Sequence, residues 1–101
     1  MAGETLFRPP QQVGRGEQSR LNIDAAALVK AGPGRLVRIA VLVAGAAGAA
    51  HDVAATGDAA DGNRIAVIPA TLGLVLDLDW PCGAGIVIVP GSGQKVSVSY
   101  V

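Results

Sequence analysis

From Gly73 to Trp80 the chain alternates: Leu74, Leu76, Leu78 and Trp80 interleave with Val75, Asp77 and Asp79. Side chains on an extended strand project to opposite sides with period two, so this run has one apolar face and one carrying two carboxylates. Such a strand lays one face on a core and turns the other to water or to a contact. Turn signals bracket it, Thr71–Gly73 before and Pro81–Gly85 after. The rest of the chain has to supply partners for that apolar face.

The remaining segments read as such partners. Val37, Ile39, Val41 and Val43 share a face, with Leu36, Arg38, Ala40 and Leu42 on the other, and the β-branched residues favour a strand over Arg35–Ala44. Arg64–Ala70 reads as a strand with Ile65 and Val67 on one face and Ala66 and Ile68 on the other, and Pro69, which has no N–H for a ladder, places its end at an edge or bend. Ile86–Val89 is apolar on both faces; Val96, Val98 and Tyr100 point inward from a last strand, Lys95–Val101. Leu21–Lys30 is ambiguous: Asp24 is placed to cap a short helix through Ala25–Leu28, but Ala31–Gly34 is a strong turn, which favours a strand over Ala26–Lys30 and a hairpin into the next segment. Gly45–Gly62 is Ala/Gly-rich, with a short strand at His51–Val53 and turns at Thr56–Asp58 and Asp61–Asn63.

The expected fold is therefore all-β: a small antiparallel β-sandwich or jelly-roll-like barrel of about six to seven strands, occupying residues 23–101. Residues 1–22 lack either periodicity. Pro9 and Pro10 extend them, Gly14 and Gly16 loosen them, and they read as an extended N-terminal arm. The candidate partner contacts on that arm are Phe7, Arg8, Pro9, Pro10, Arg15 and Arg20.

Composition narrows function. The chain has 101 residues, half of them apolar but only 3% aromatic, so a core has to be thin and tightly packed or completed by a partner subunit. Eight basic and eight acidic residues cancel, which speaks against nucleic-acid or anionic-membrane partners. The longest apolar run, Ile39–Ala50, is shorter than the roughly 20 residues of a spanning helix. Met1–Gln12 contains two prolines and no apolar run, so no secretory signal is read there. Cys82 is the single cysteine, which fits a reducing compartment.

No stretch carries a reaction. Gly91–Lys95 departs from a phosphate loop, because Gln94 separates the second glycine from the lysine and a strand follows; it reads as a hairpin turn. His51–Asp52 has no second acid or base placed by spacing. Asp52, Asp58 and Asp61 lack the order of a calcium loop. Asp77 and Asp79 are better read as partners for Arg38, Arg64 or Lys95 across a sheet. Cys82 reads as a buried structural thiol. The expectation is no enzyme, no cofactor and no metal.

The succession Ala27–Leu36, Asn63–Pro69, Asp79–Gly91 and Val96–Tyr100 resembles small β-sandwich proteins of tailed bacteriophages and prophages, encoded among virion structural genes. The resemblance covers roughly residues 25–101 and consists of turn glycines and strand patterns. It implies a non-enzymatic virion protein made in the bacterial cytoplasm, foremost a capsid decoration or cement protein that binds the major capsid protein shell. It also implies a homo-oligomer, with a trimer favoured. The alternatives are a head-fibre base, a head–tail connector or tail component, and a carbohydrate- or receptor-binding module.

Overall fold

The computed structural model describes residues 16–101, so Phe7, Arg8, Pro9, Pro10 and Arg15 lie outside the described residues. Within that range the chain forms eight strands and no α-helix. They are β1 (Gln18–Ile23), β2 (Ala27–Ala31), β3 (Gly34–Val43), β4 (Gly48–His51), β5 (Arg64–Ile68), β6 (Val75–Cys82), β7 (Gly85–Val89) and β8 (Lys95–Tyr100). Two short 3-10 turns, Thr56–Asp58 and Asp61–Asn63, lie between β4 and β5.

The strands make two four-stranded antiparallel sheets, ordered β1-β8-β3-β6 and β2-β7-β4-β5. One apolar cluster draws on both: Leu36, Ile39, Val41, Val96 and Val98 from the first, Ile68, Ile86 and Ile88 from the second. The all-β, two-sheet expectation stands, with eight strands in place of six to seven.

Four expectations change. The arm read over residues 1–22 ends earlier, because Gln18–Ile23 is a strand paired with β8, and the folded unit begins ahead of residue 23. Five of its six side chains are exposed, so side-chain alternation carries no trace of it; its backbone ladder to β8 defines it. The turn at Ala31–Gly34 does not make a hairpin: β2 pairs with β7 and β3 with β6 and β8, so the turn carries the chain from one sheet to the other. Gly32 takes φ +82 there and donates its N–H to Ala84 O. The turn at Gly91–Lys95 likewise joins β7 in one sheet to β8 in the other. Only the β4–β5 connection stays within a sheet. The short strand expected at His51–Val53 lies instead at Gly48–His51.

The alternation that organises β6 holds until residue 78. Leu76 pairs with Ile39 on the core side and Asp77 with Arg38 on the outer side. Between the pairs Arg38–Asp77 and Leu36–Trp80, β6 contains two residues and β3 one, which is a β-bulge. Asp79 adopts φ +47 in it, a left-handed conformation that Asp and Asn tolerate better than most residues. Trp80 returns to the side of Leu36, but on an edge strand it stays 46% exposed rather than fully inside.

Candidate interaction surface

The outer sides of the two sheets differ. On the second sheet, residues 52–63 fold back over the strands. Val87 lies between core residues Ile86 and Ile88 and therefore faces outward, yet it is fully buried, because the Thr56–Asp58 turn packs on β7. Polar groups hold that cover down. The Asp52 carboxylate accepts hydrogen bonds from the backbone N–H of Gly83 (3.0 Å), Ala84 (2.8 Å) and Gly85 (3.3 Å). These bonds, led by those from Gly83 and Ala84, hold the Asp52 pKa below the ordinary carboxylate value.

His51 is buried beneath the same segment. Its Nδ1 lies 2.8 Å from Asn63 Oδ1 and 3.1 Å from Ala60 O. Both neighbours are acceptors, so Nδ1 carries the proton. Asn63 Oδ1 also accepts from Ala60 N–H, and Asn63 Nδ2 donates to Asp58 O. Between the cover and the sheet runs an open cleft of about 460 Å³, floored by Gly48, Ala49, Val67 and Val89 and flanked by His51 and Arg64. Arg64 pairs with Asp61 across its mouth. His51 and Asp52, neighbours in sequence, thus bond to different parts of the backbone and side-chain network, and no acid/base pair forms between them.

The turn at Gly91–Lys95 is held from inside. Gln94 is fully buried, accepts from Gly91 N–H through Oε1, and donates through Nε2 to Ile68 O and Pro69 O. It ties the β7–β8 turn to the end of β5, and a phosphate has no cradle there. Cys82 is buried, and desolvation followed by the nearby Asp52 charge raises its thiol pKa, which disfavours the nucleophilic thiolate.

The first sheet carries no such cover among the described residues. Its outer side presents Ser19 and Leu21 from β1, Ser97 and Ser99 from β8, Arg38 and Ala40 from β3, with a groove of about 230 Å³ along them. Leu21 is 71% exposed, Val75 51% and Leu42 45%. The Ser99 hydroxyl is shielded from solvent yet has no hydrogen-bond partner. Towards the other end of the face the charges pair across strands: Arg38 Nε to Asp77 Oδ1 at 2.5 Å, Arg35 Nη1 to Asp79 Oδ1 at 3.4 Å and to Asp79 O at 2.8 Å. The Asp77 bond and charge raise the Arg38 pKa.

The sequence offered Arg38, Arg64 or Lys95 as cross-strand partners for Asp77 and Asp79; Arg38 takes Asp77, while Arg64 pairs with Asp61. Arg35, which the sequence reading passed over, takes Asp79, because the bulge brings Asp79 within its reach. Arg20, the one arm candidate within the described residues, sits on β1 with Nη1 3.5 Å from Leu28 O. The exposure of Leu21, Leu42 and Val75 was not read from the sequence; the signal for the last two was an apolar residue on a strand face that also carries charge, Arg38 beside Leu42 and Asp77 beside Val75. No family model, curated protein or solved structure matches the chain.

Proposed function

We propose that this chain is a non-enzymatic structural protein of a phage virion, and that its role is decoration or cement: it binds the major capsid protein shell and stabilises it. The observation that carries this reading is the contrast between the polar groups and the open apolar side chains. Asp52, His51, Asn63 and Gln94 are all bonded to the protein's own backbone or to one another, whereas Leu21 and the groove beside it lie uncovered. Polar groups so engaged hold loops in place, and an exposed apolar surface serves association. The strand order, in which all but one connection crosses between sheets, is that of a jelly roll, an architecture common in capsid proteins and lectins alike.

The shell contact in this reading comprises the β1–β8 half of the open face, together with Phe7, Arg8, Pro9, Pro10 and Arg15 of the preceding segment. Many copies on a symmetric shell reach high avidity through individually weak contacts. The test is co-sedimentation with purified shells. Wild type pellets with the shells; Leu21→Glu and a deletion of residues 1–15, both retaining the β-sheet circular dichroism spectrum, pellet at least about tenfold less, a loss of about 1.4 kcal/mol per mole of sites. Undiminished pelleting of both variants counts against this contact, and failure of wild type to bind any capsid shell counts against the function.

A further inference from the structure

Among the described residues all four edge strands carry a β-bulge, and in each case the extra residue sits on the edge strand rather than on its neighbour. On β1 it falls at Leu21–Asn22, opposite a single residue of β8. On β2 it is Val29, on β5 Ile65, and on β6 Leu78–Asp79 against a single residue of β3. Asn22 and Asp79, the two non-glycine residues with positive φ among those described, lie at two of these bulges. Lys30 on β2, Pro69 just after β5 and Pro81 on β6 add further obstacles. Bulges, prolines and lysines on edges block the addition of another strand. Association by sheet extension is therefore disfavoured at each edge of the two described sheets. The outer side of the second sheet lies partly under residues 52–63, with Val67 and the cleft beside it open, whereas the outer face of the first sheet has no cover among the described residues and carries paired columns of opposite charge.

We propose that the β3–β6 half of this face packs against the same half of a second copy, about a two-fold axis lying between the sheets and nearly parallel to the strands. The argument is complementarity. β3 carries Arg35 and Arg38, and β6 carries Asp77 and Asp79, so the face has one basic and one acidic column. The axis lays β3 of one copy over β6 of the other and preserves height along the strands. Arg38 then meets the Asp77 of the second copy, because the two share a register position within one chain. The same operation sets Ala40 against Val75, also register partners, so a small side chain receives a larger one. Leu42, two residues further along β3 on the same side, falls at the level of Gly73, whose N–H bonds Val41 O. A face that matches itself in charge and in size is what an isologous contact requires.

The overlap spans two strands of each copy, less than the roughly 800 Å² per partner of a standard interface. Association is accordingly weak, and sedimentation velocity over a range of concentrations reads it. The contact is between copies in solution, so it stands or falls without any shell, and its failure leaves the shell reading untouched.

The decisive experiment uses two variants of the full chain. One, Arg35→Asp with Arg38→Asp, makes the face wholly acidic. The other, Asp77→Arg with Asp79→Asn, makes it basic and keeps a residue that tolerates positive φ at the bulge. Circular dichroism confirms that each is folded. Wild type is expected to form pairs, or sixes where a three-fold contact also operates. Each variant alone should lose the two-fold association, and an equimolar mixture should restore a one-to-one complex. Leu42→Asp should weaken pairing about tenfold or more without reversal of charge columns. The proposal is overturned by a wild-type protein that stays monomeric or trimeric at all concentrations. It is equally overturned by variants that associate as wild type does, or by a mixture that forms no complex.

Discussion

The outer side of the second sheet and the outer side of the first each rest on four antiparallel strands, short in the second and longer in the first, and they are completed differently. Over the second sheet, residues 52–63 bury Val87, and Asp52, His51 and Asn63 fasten them through short bonds to backbone and side chain. On the first sheet, Leu21, Leu42 and Val75 stay exposed and the Arg–Asp pairs stand in solvent. A polar group in a buried setting leaves a partner unsatisfied when it is removed, whereas an exposed ion pair is readily replaced by water. One side is therefore a matter of folding and the other a matter of association, and substitutions on the two should report on different measurements.

Gln94 gives the largest contrast. It is fully buried and serves Gly91 N–H, Ile68 O and Pro69 O at once. Gln94→Ala strands those groups and leaves a cavity, so it should cost about 3–4 kcal/mol of unfolding free energy by urea denaturation. A loss below about 1 kcal/mol would mean the β7–β8 turn is held by other contacts.

Asp52 comes next. Asp52→Ala removes the acceptor of three backbone N–H groups and should cost about 2–3 kcal/mol. Its folded pKa is depressed below the unfolded value of about 3.9, so its contribution is complete well above that pH and fades as acid takes the solution down through the folded pKa. Asp52→Asn should therefore flatten part of the acid limb of a stability–pH curve. An acid limb identical to that of wild type would assign that limb to other carboxylates.

Asn63 is smaller in effect and sharper in what it isolates. Asn63→Ala takes the acceptor from His51 Nδ1 and Ala60 N–H and leaves the 3-10 turn without its tie to Asp58 O. It should cost about 1–2 kcal/mol and raise amide exchange within residues 52–63 while leaving β3 and β8 protected. Faster exchange spread evenly over both sheets would show that the cover and the core open together.

Legibility in the sequence follows the same division. β3, β5, β6, β7 and β8 are runs rich in apolar residues between turn signals. A bulge breaks the alternation of β3 and β7 is buried on both faces, yet all five spans were readable to within a few residues. β1 was not, because only Ile23 of its residues is buried and its strand character comes from bonds to β8, some 75 residues away along the chain. β4 was displaced because Gly48–Ala50 has too little side chain to alternate. Turn glycines were readable as turns, but whether a turn returns to the same sheet depends on what the strand pairs with, which local sequence does not encode. At the candidate surface, Arg38–Asp77 was within reach of strand reasoning, and Arg35–Asp79 was hidden by a bulge that shifts the register by one residue. The structural role of Asp52 was out of reach, because its partners, the amides of Gly83, Ala84 and Gly85, lie over 30 residues onward.

Arg38 and Asp77 should give the smallest effect on folding and the sharpest test of the division. Both side chains are more than half exposed despite their 2.5 Å bond, so solvent screens the pair and competes for both groups. Arg38→Ala and Asp77→Ala, singly and together, should leave the thermal midpoint within the scatter of replicate melts. The double-mutant cycle should show no resolvable coupling in unfolding at physiological salt. The same four proteins compared by sedimentation should differ, since across a two-fold each single variant removes a charge from both ends of the contact. Coupling seen in unfolding but absent from association would place this pair with Asp52 and Gln94 among the groups that hold the fold, and the open face would lose its claim to be the side built for other molecules.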